Sequence, residues 1–437
     1  MLKTWQALLD LRATLWFIPS VTVLFAIGLA AAMIELDTRF DMELAALSPR
    51  LFGASADGAR GMLEVIAAAM ITTATLTFSI TVLVLSNVSA QYAPALIRNF
   101  MASRSTQTVL GTFLGIFAYC LIVLRTVRSG EDAFIPAIAI AVAIVLAMTG
   151  IGVLVYFVHH IASSIQAEVI ISTIAATTLK SIASRYHRAD DSGSRPANAD
   201  DAFRDQTLRW HPVPAQSTGH LRSVDLPGLE RWAQQHDLLL KLETGIGGFI
   251  CCDAPLGWTS RPLSEAMRRS LDGLHAIGNF RTVEQDPAVG LQQLVDIALK
   301  AMSPAVCNNS TALLCMNYLS AMLAALAASR LAVGAEATRV SIPEPEFRDY
   351  LRLAVASLRD HANDDPAIYA GLLQMLATVA RLTDSPIRKR QILSEVELLA
   401  QYARQQLCLP GQLMQLENSI AEARAHASGR FSATWFG

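Results

Sequence analysis

One apolar stretch, residues 62–88 (MLEVIAAAMITTATLTFSITVLVLSNV), constrains the fold of this chain more than any other feature. Glu64, near its start, is the only ionisable residue in it. A helix of this length, rising about 1.5 Å per residue, is about 40 Å long. Because the hydrocarbon core of a bilayer is about 30 Å thick, the stretch predicts a helix that crosses a membrane and continues beyond it.

Three further apolar runs have the length of membrane spans, namely residues 13–34, 108–124 and 134–158. The first run is longer than the apolar core of a usual signal peptide, so we expect it to remain as an uncleaved span. The sequence therefore predicts a polytopic helical domain over residues 1–160, with four transmembrane helices.

Basic residues set the expected orientation of these spans. Lys3 and Arg12 precede the first span, and Arg98 and Arg104 lie between the second and the third. With four spans these two segments lie on the same side of the membrane as the residues after the fourth span. The positive-inside rule then predicts that both termini are cytoplasmic.

The remainder of the chain is expected to form a cytoplasmic domain. Isoleucines recur at helical spacing through residues 161–187, which predicts a helical stalk. Residues 188–201 contain almost no large apolar side chain and predict a linker. We expect a small α/β subdomain over residues 202–260 and an all-helical subdomain over residues 261–437.

Helix starts in the last of these regions carry a recurrent signal. An acceptor side chain stands immediately before a proline at Asp286-Pro287, Glu344-Pro345, Asp365-Pro366 and Ser385-Pro386. Such pairs are typical of an N-cap followed by proline in the first helical turn, so we expect a helix to begin at each.

Several classes of function receive no support from the sequence. The formal net charge of −2 argues against a nucleic-acid-binding protein. The cysteines do not form paired CxxC motifs, and the adjacent Cys251 and Cys252 are expected to be buried thiols. We find no catalytic triad, HExxH motif or supported carboxylate pair, so the sequence predicts no enzyme activity, catalytic residue, metal or cofactor.

Hydroxyl side chains divide the 62–88 helix into two faces. One face carries Thr73, Thr77 and Thr81, and the other carries Thr72, Thr75, Ser79 and Ser86. Small hydroxyl residues allow close helix packing, which is their commoner use, but such a stripe can also line water. The pore-lining candidates are Thr72, Thr75, Ser79, Ser86, Asn87, Gln91 and Arg98.

Packing of one hydroxyl face would leave the other available to line a path. Gly111 and Gly115, spaced as GxxxG in the third span, are expected to receive the packed face. Arg98 would then give the cytoplasmic mouth of the path a positive field.

A dense polar cluster in the soluble part forms the second candidate site. This polar corner consists of Arg281, Thr282, Glu284, Gln285 and Asp286. Asp286 has the pattern of an N-cap before Pro287, and caps and turns use the same residue types as ligand sites. We therefore expect a structural corner, with a ligand site as the alternative.

Three stretches together resemble a known family. FSITVLVLSNVSAQYAPALIRNFMASRSTQTVLGTFLGIFAYCLIVLRTVR, HLRSVDLPGLERWA and IGNFRTVEQDPAVGLQQLVDIALKAMSPA are similar to a bacterial family of membrane proteins known as domain of unknown function 2254. The resemblance implies a multi-span domain in the inner membrane followed by a cytoplasmic domain, with no established activity. It marks Gln91, Pro94, Arg98, Asn99, Phe100, Arg281, Thr282, Glu284, Gln285 and Asp286.

The chain departs from the family pattern at one turn. After Ser303-Pro304-Ala305 the family usually has Asn-Asp-Pro, whereas this chain has Cys307, Asn308 and Asn309 nearby. A role that required an acid at this turn is therefore not expected here.

Two functional classes remain open at this stage. The first is an oligomeric channel or transport protein in the lipid bilayer, with a regulatory cytoplasmic domain and a small ion as its cargo. The second is a membrane-anchored scaffold or sensor whose cytoplasmic domain binds a partner or a small ligand. In both cases the expected partners are the bilayer and further copies of the chain.

Overall fold

A computed structural model of the protein describes the residues from 16 to 428 with several gaps. The described residues are 16–39, 56–91, 104–128, 134–164, 166–188, 203, 209–283, 285–330 and 339–428. The chain divides into two compact units, one within residues 4–166 and the other within residues 167–437.

The first unit consists of four long apolar helices in the described residues. They are α1 (Phe17–Arg39), α2 (Ala56–Gln91), α3 (Arg104–Thr126) and α4 (Ala137–Ser164). Helix α3 packs against each of the other three. Each helix extends beyond the apolar run that predicted it in at least one direction, because polar turns continue the helical hydrogen bonding past the apolar segment.

The GxxxG motif brings α3 close to α1. A Cβ atom at Gly111 would lie 3.0 Å from Thr22 Oγ1, and one at Gly115 would lie 3.4 Å from Ala26 Cβ. A side chain at Gly111 would force Thr22 to shift, so glycine allows the close approach there, whereas a Cβ atom at Gly115 would lie at the limit of ordinary contact. The expectation that these glycines receive the second span was wrong, since they pack against the first.

A buried carboxylate joins the end of α1 to the start of α4. Asp37, only 6% exposed, accepts hydrogen bonds from the backbone N–H groups of Ile138 (2.8 Å) and Ala139 (2.9 Å). These N–H groups in the first helical turn have no partner within their own helix. The sequence ended the first span at residue 34, but α1 continues so that Asp37 can cap another helix.

Five described helices are long and apolar enough to cross a membrane, judged by length and composition. Four of them are α1 to α4, and the fifth is α9 (Asn309–Ala328) of the second unit. The prediction of four spans therefore missed one candidate, because the sequence placed residues 309–328 in the helical subdomain.

The predicted stalk is not a separate element. Helix α4 ends at Ser164, and α5 (Ala167–Arg185) belongs to the second unit. Ile171, Ile174 and Ile182 are buried, because α5 packs against α8 (Pro287–Met302) and α9. The predicted linker lies outside the described residues beyond Arg188.

Short strands form three small sheets among the described residues of the second unit. The strands are β1 (His187–Arg188), β2 (His211–Pro214), β3 (Gly219–Val224), β4 (Leu240–Leu242), β5 (Phe249–Ile250), β6 (Pro255–Thr259), β7 (His275–Gly278), β8 (Ser329–Arg330) and β9 (Val340–Ser341). Their orders are β1-β8, β2-β6-β4-β9 and β5-β3-β7, with β4 and β9 parallel and the other pairs antiparallel.

The sheet region extends past its predicted limit at residue 260. Strands β7 and β9 come from later in the chain, as does α7 (Glu265–Leu271), while α6 (Leu226–Gln235) follows β3. The pairing of β9 with β4 joins segments 100 residues apart, which no local pattern in the sequence reveals.

The helices of the second unit begin largely as predicted. After α5 to α9 the chain continues with α10 (Phe347–Asp360), α11 (Pro366–Arg381), α12 (Pro386–Gln406) and α13 (Pro410–Ser428). Asp286, Asp365 and Ser385 cap their helices, each before a proline. The start expected at Glu344 was wrong, since α10 begins after Glu346, which forms a reciprocal capping box with Asp349.

Candidate functional site

The two hydroxyl faces of α2 have different surroundings. Thr77 is 2% exposed and Thr81 is 9% exposed, so this face is packed within the first unit. The other face, which carries Thr72, Thr75, Ser79 and Ser86, is exposed. Packing of the four helices therefore uses one hydroxyl face and leaves the other uncovered.

Hydrogen bonds on the exposed face stay within the helix. Thr72 donates to the carbonyl of Ala68 at 2.7 Å, Thr75 to that of Ile71 at 2.9 Å, and Ser79 to that of Thr75 at 2.9 Å. Donating to the carbonyl four residues earlier satisfies the hydroxyl proton and leaves the oxygen lone pairs available as acceptors.

The same side of α2 also exposes large apolar residues. Leu76 is 56% exposed and Leu83 is 62% exposed. The face is thus a mixture of hydroxyl and aliphatic groups. Asn87 and Gln91 lie in the last turns of α2, and Arg98 lies outside the described residues.

The polar corner is organised around the Asp286 carboxylate, which is 5% exposed. Arg281 donates to Asp286 Oδ2 from Nε (2.9 Å) and from Nη2 (2.7 Å), while Oδ1 accepts the backbone N–H of Ala288 at 3.2 Å. One side chain therefore caps α8 and holds the preceding loop. Thr282 is half-buried, and Glu284 lies outside the described residues.

A glycine turn packs directly against this carboxylate. Gly247 has a φ of +88°, which favours glycine, and a Cβ atom there would overlap Asp286 Oδ2. His220 donates from Nδ1 to the carbonyl oxygen of the same glycine at 2.9 Å. No local pattern connects residues 245–248 with the corner, because they are about 40 residues away.

The end of α5 supplies residues that sequence reasoning missed. Arg185 donates from Nη1 to the carbonyl of Gln285, and its Nη2 lies 3.7 Å from Glu344 Oε1. The adjacent Tyr186 hydroxyl lies 2.8 Å from that of Tyr350, within hydrogen-bond distance. Burial raises the pKa of both tyrosines, so the pair stays neutral at physiological pH.

Arg185 was detectable only as a basic residue in the last turn of α5, which is a common feature of helices.

Gln285 connects the corner to the sheet, since its Oε1 accepts the backbone N–H of Val224 at 3.1 Å. The corner is therefore a junction of α5, β3, α8 and the segment before α10.

Thiols and metal ligands add little to either candidate site. Cys251 and Cys252 are exposed, so the expectation that they are buried was wrong. Both follow β5, where the chain turns at Cys251–Ala254 on the surface. Within the described ranges, no group of three or more His, Cys, Asp or Glu residues could hold a metal ion.

Comparison with known proteins places this architecture in context. The family model DUF2254, described as "Predicted membrane protein", matches residues 12–378. Uncharacterized proteins of Mycobacterium tuberculosis and Mycobacterium bovis are 31% identical over 421 residues, which cover 93% of this chain and 79% of each relative. No solved structure matches the chain. The resemblance found in the sequence is thereby confirmed.

Proposed function

This chain belongs to the DUF2254 family of predicted membrane proteins, and we propose that it is a non-enzymatic, oligomeric channel or transport protein for a small ion. The exposed hydroxyl face of α2 is the observation that carries the proposal. In the proposed assembly the α2 helices of several copies meet, and this face lines a water-filled path.

Packing within the first unit already uses one of the two hydroxyl faces of α2. Thr77 and Thr81 are hydroxyl residues of α2 that are buried within the first unit, so this face already serves the close packing of helices. A hydroxyl that faces lipid makes no favourable contact there with a partner helix. The exposed face therefore suits water or another protein copy better than lipid, and its free lone pairs can replace part of an ion's hydration shell.

We further propose that four helices cross the inner membrane and that both termini are cytoplasmic. Helix α9 is the fifth candidate, but it exposes no large apolar side chain among its described residues. It packs against α5, α8 and α11 as a core helix of its own unit. With α9 outside the membrane, the second unit is free to regulate the path.

Cysteine substitution tests the path. In a background without native cysteines, single Thr72→Cys, Thr75→Cys, Ser79→Cys and Ser86→Cys variants are reacted with a small, charged thiol reagent in membranes. We expect all four to react. Thr77→Cys and Val84→Cys are matched controls on buried positions, and they should stay protected.

Uniform protection of the four exposed positions in folded, membrane-embedded protein would contradict the path. Conductance or tracer flux through reconstituted protein supplies the second readout. Flux that the reagent blocks in the four variants, and not in the Val84→Cys control, is the result expected for a hydroxyl-lined path.

The runner-up function is a membrane scaffold or sensor. The exposed Leu76 and Leu83 favour it, because aliphatic groups among hydroxyls suit helix packing between copies. In that case Ser79→Cys would form disulfide-linked dimers, yet would not react with the charged reagent and would show no flux. The second unit would then bind a partner or a small ligand.

A further inference from the structure

A surface of the β5-β3-β7 sheet combines cations with exposed aromatic rings. We propose that this surface, which we call the basic–aromatic face, binds a nucleotide, that is, a phosphate attached to a nucleoside with a planar base. It consists of His220, Arg222, Phe249, Phe280 and Arg281. The proposal goes beyond the transport role and does not depend on it.

Strand pairing brings the first part of the face together. His220 lies in the central strand β3, opposite Phe249 of β5 and Gly278 of β7. Residues opposite one another in a sheet point to the same side. The rings of His220 and Phe249 meet edge to face at 5.2 Å, and Phe249 is 59% exposed.

Arg222 occupies the space above the glycine of this row. A Cβ atom at Gly278 would lie 2.5 Å from Arg222 Cδ, so a side chain there would displace the arginine. Arg222 is half-buried as a residue, and the described residues supply its guanidinium group with no hydrogen bond or ion pair. A partly desolvated cation without a counter-charge favours an anionic ligand.

The polar corner supplies the second cation. Arg281 is committed to Asp286 through Nε and Nη2, and its Nη1 is left for another acceptor. Its Nε would lie 3.0 Å from a Cβ atom at Gly247, the glycine whose carbonyl oxygen contacts His220. Arg281 and His220 therefore border the same backbone position, where the Asp286 carboxylate occupies the place of a side chain, and the Nη1 group of Arg281 remains the donor for a ligand.

Two aromatic rings identify the remainder of the ligand. Phe280 is 56% exposed and directly precedes Arg281, while Phe249 stands on the other side of His220. Exposed phenylalanines beside arginines provide a stacking surface for a base next to donors for phosphate. The strands are two to six residues long, which leaves room for one nucleotide and not for a nucleic-acid strand.

Binding is measured on the full chain in detergent or nanodiscs with fluorescent N-methylanthraniloyl-ATP as the probe. We expect saturable binding that ATP competes away, while adenosine and inorganic triphosphate compete far less well. Arg222→Gln and Phe249→Ala should each weaken binding roughly tenfold or more, as expected for loss of a charge-assisted hydrogen bond or a stacked ring. Arg222→Lys should retain part of the affinity.

Matched controls lie on the same unit. Arg268→Gln removes an exposed arginine of α7, and Leu382→Ala removes an exposed apolar side chain, and both should bind as the wild type. Unchanged thermal unfolding of Arg222→Gln shows that the variant is folded. If this variant does not fold, binding by Phe249→Ala, altered at an exposed ring, decides the question.

Four results would overturn the proposal. One is the absence of saturable nucleotide binding, and another is equal affinity in the wild type and in Arg222→Gln. The third is displacement by triphosphate as effective as that by ATP, which would indicate a site for anions alone. Binding only to phosphatidylglycerol vesicles would likewise replace the nucleotide with a lipid headgroup.

Discussion

Helices α4 and α9 are both apolar enough to cross a bilayer, yet they present opposite surfaces. Helix α4 exposes Val145 (64%), Met148 (64%) and Val155 (67%), whereas α9 exposes no large apolar side chain among its described residues. A helix that is apolar enough for a bilayer can therefore either expose its apolar side chains or have them covered by its own unit. The difference lies in what covers it, and not in its composition.

Helix α3 shows that coverage alone does not distinguish the two cases, because it is as well covered as α9. Each has half of its apolar window buried. The helices around α3 themselves expose apolar side chains, such as Leu24 of α1 and Val65 of α2. Around α9, helix α10 turns Arg348, Asp349 and Arg352 outward. Lipid suits the first surrounding and water suits the second.

The largest expected effect is on topology. Reporter fusions after Gly278 and after Asp360 flank α9, so both should score cytoplasmic if this helix does not cross the membrane. A fusion after Arg188 should also score cytoplasmic, and one after Ser48 should score external. Opposite scores for the two fusions that flank α9 would make it a fifth span and place the C-terminus outside.

A pair of substitutions tests the two surfaces through stability. Leu319→Ala in α9 truncates a fully buried side chain and should lower the free energy of unfolding by about 3 kcal/mol. Met148→Ala in α4 truncates an exposed one and should change it by less than about 0.5 kcal/mol. Denaturant unfolding of the full chain in detergent measures both. A large loss for Met148→Ala would mean that protein, and not lipid, covers that face of α4.

A smaller loss than that of Leu319→Ala is expected where each unit anchors a helix start. Asp286→Ala removes the cap of α8 and the partner of Arg281, and should cost about 2 kcal/mol. Asp286→Asn keeps an acceptor for the Ala288 N–H group and should cost less. Because Arg281 is 38% exposed, water can solvate it after the change, which limits the loss.

Unfolding of Asp286→Ala, followed by circular dichroism, gives this value. The corresponding carboxylate in the first unit, Asp37, caps a helix from a distant segment, so Asp37→Ala gives a comparison within the same protein. Unchanged stability of Asp286→Ala together with lost ligand binding would show that the polar corner is a binding site and not a structural one.

Local patterns predicted much of this architecture. The caps at Asp286, Asp365 and Ser385 were predictable, because an acceptor before proline acts within one turn of its helix. The capping of α4 by Asp37 was not predictable, since the two residues that bond are 101 positions apart. For the same reason the sequence did not predict that Arg185 and Tyr350 lie at the polar corner, because their contacts depend on how α5 and α10 pack.

The sequence by itself determined that apolar helices suited to a bilayer precede a mixed sheet and helical region, because span length and helical periodicity are local properties. It also determined that α2 has two hydroxyl faces. Only the tertiary structure decided which face is buried, with Thr77 and Thr81 inside and Thr72, Thr75 and Ser79 outside. It likewise decided that α9 is covered by its own unit. Both outcomes depend on which distant segments pack together, and no single stretch of sequence contains that information.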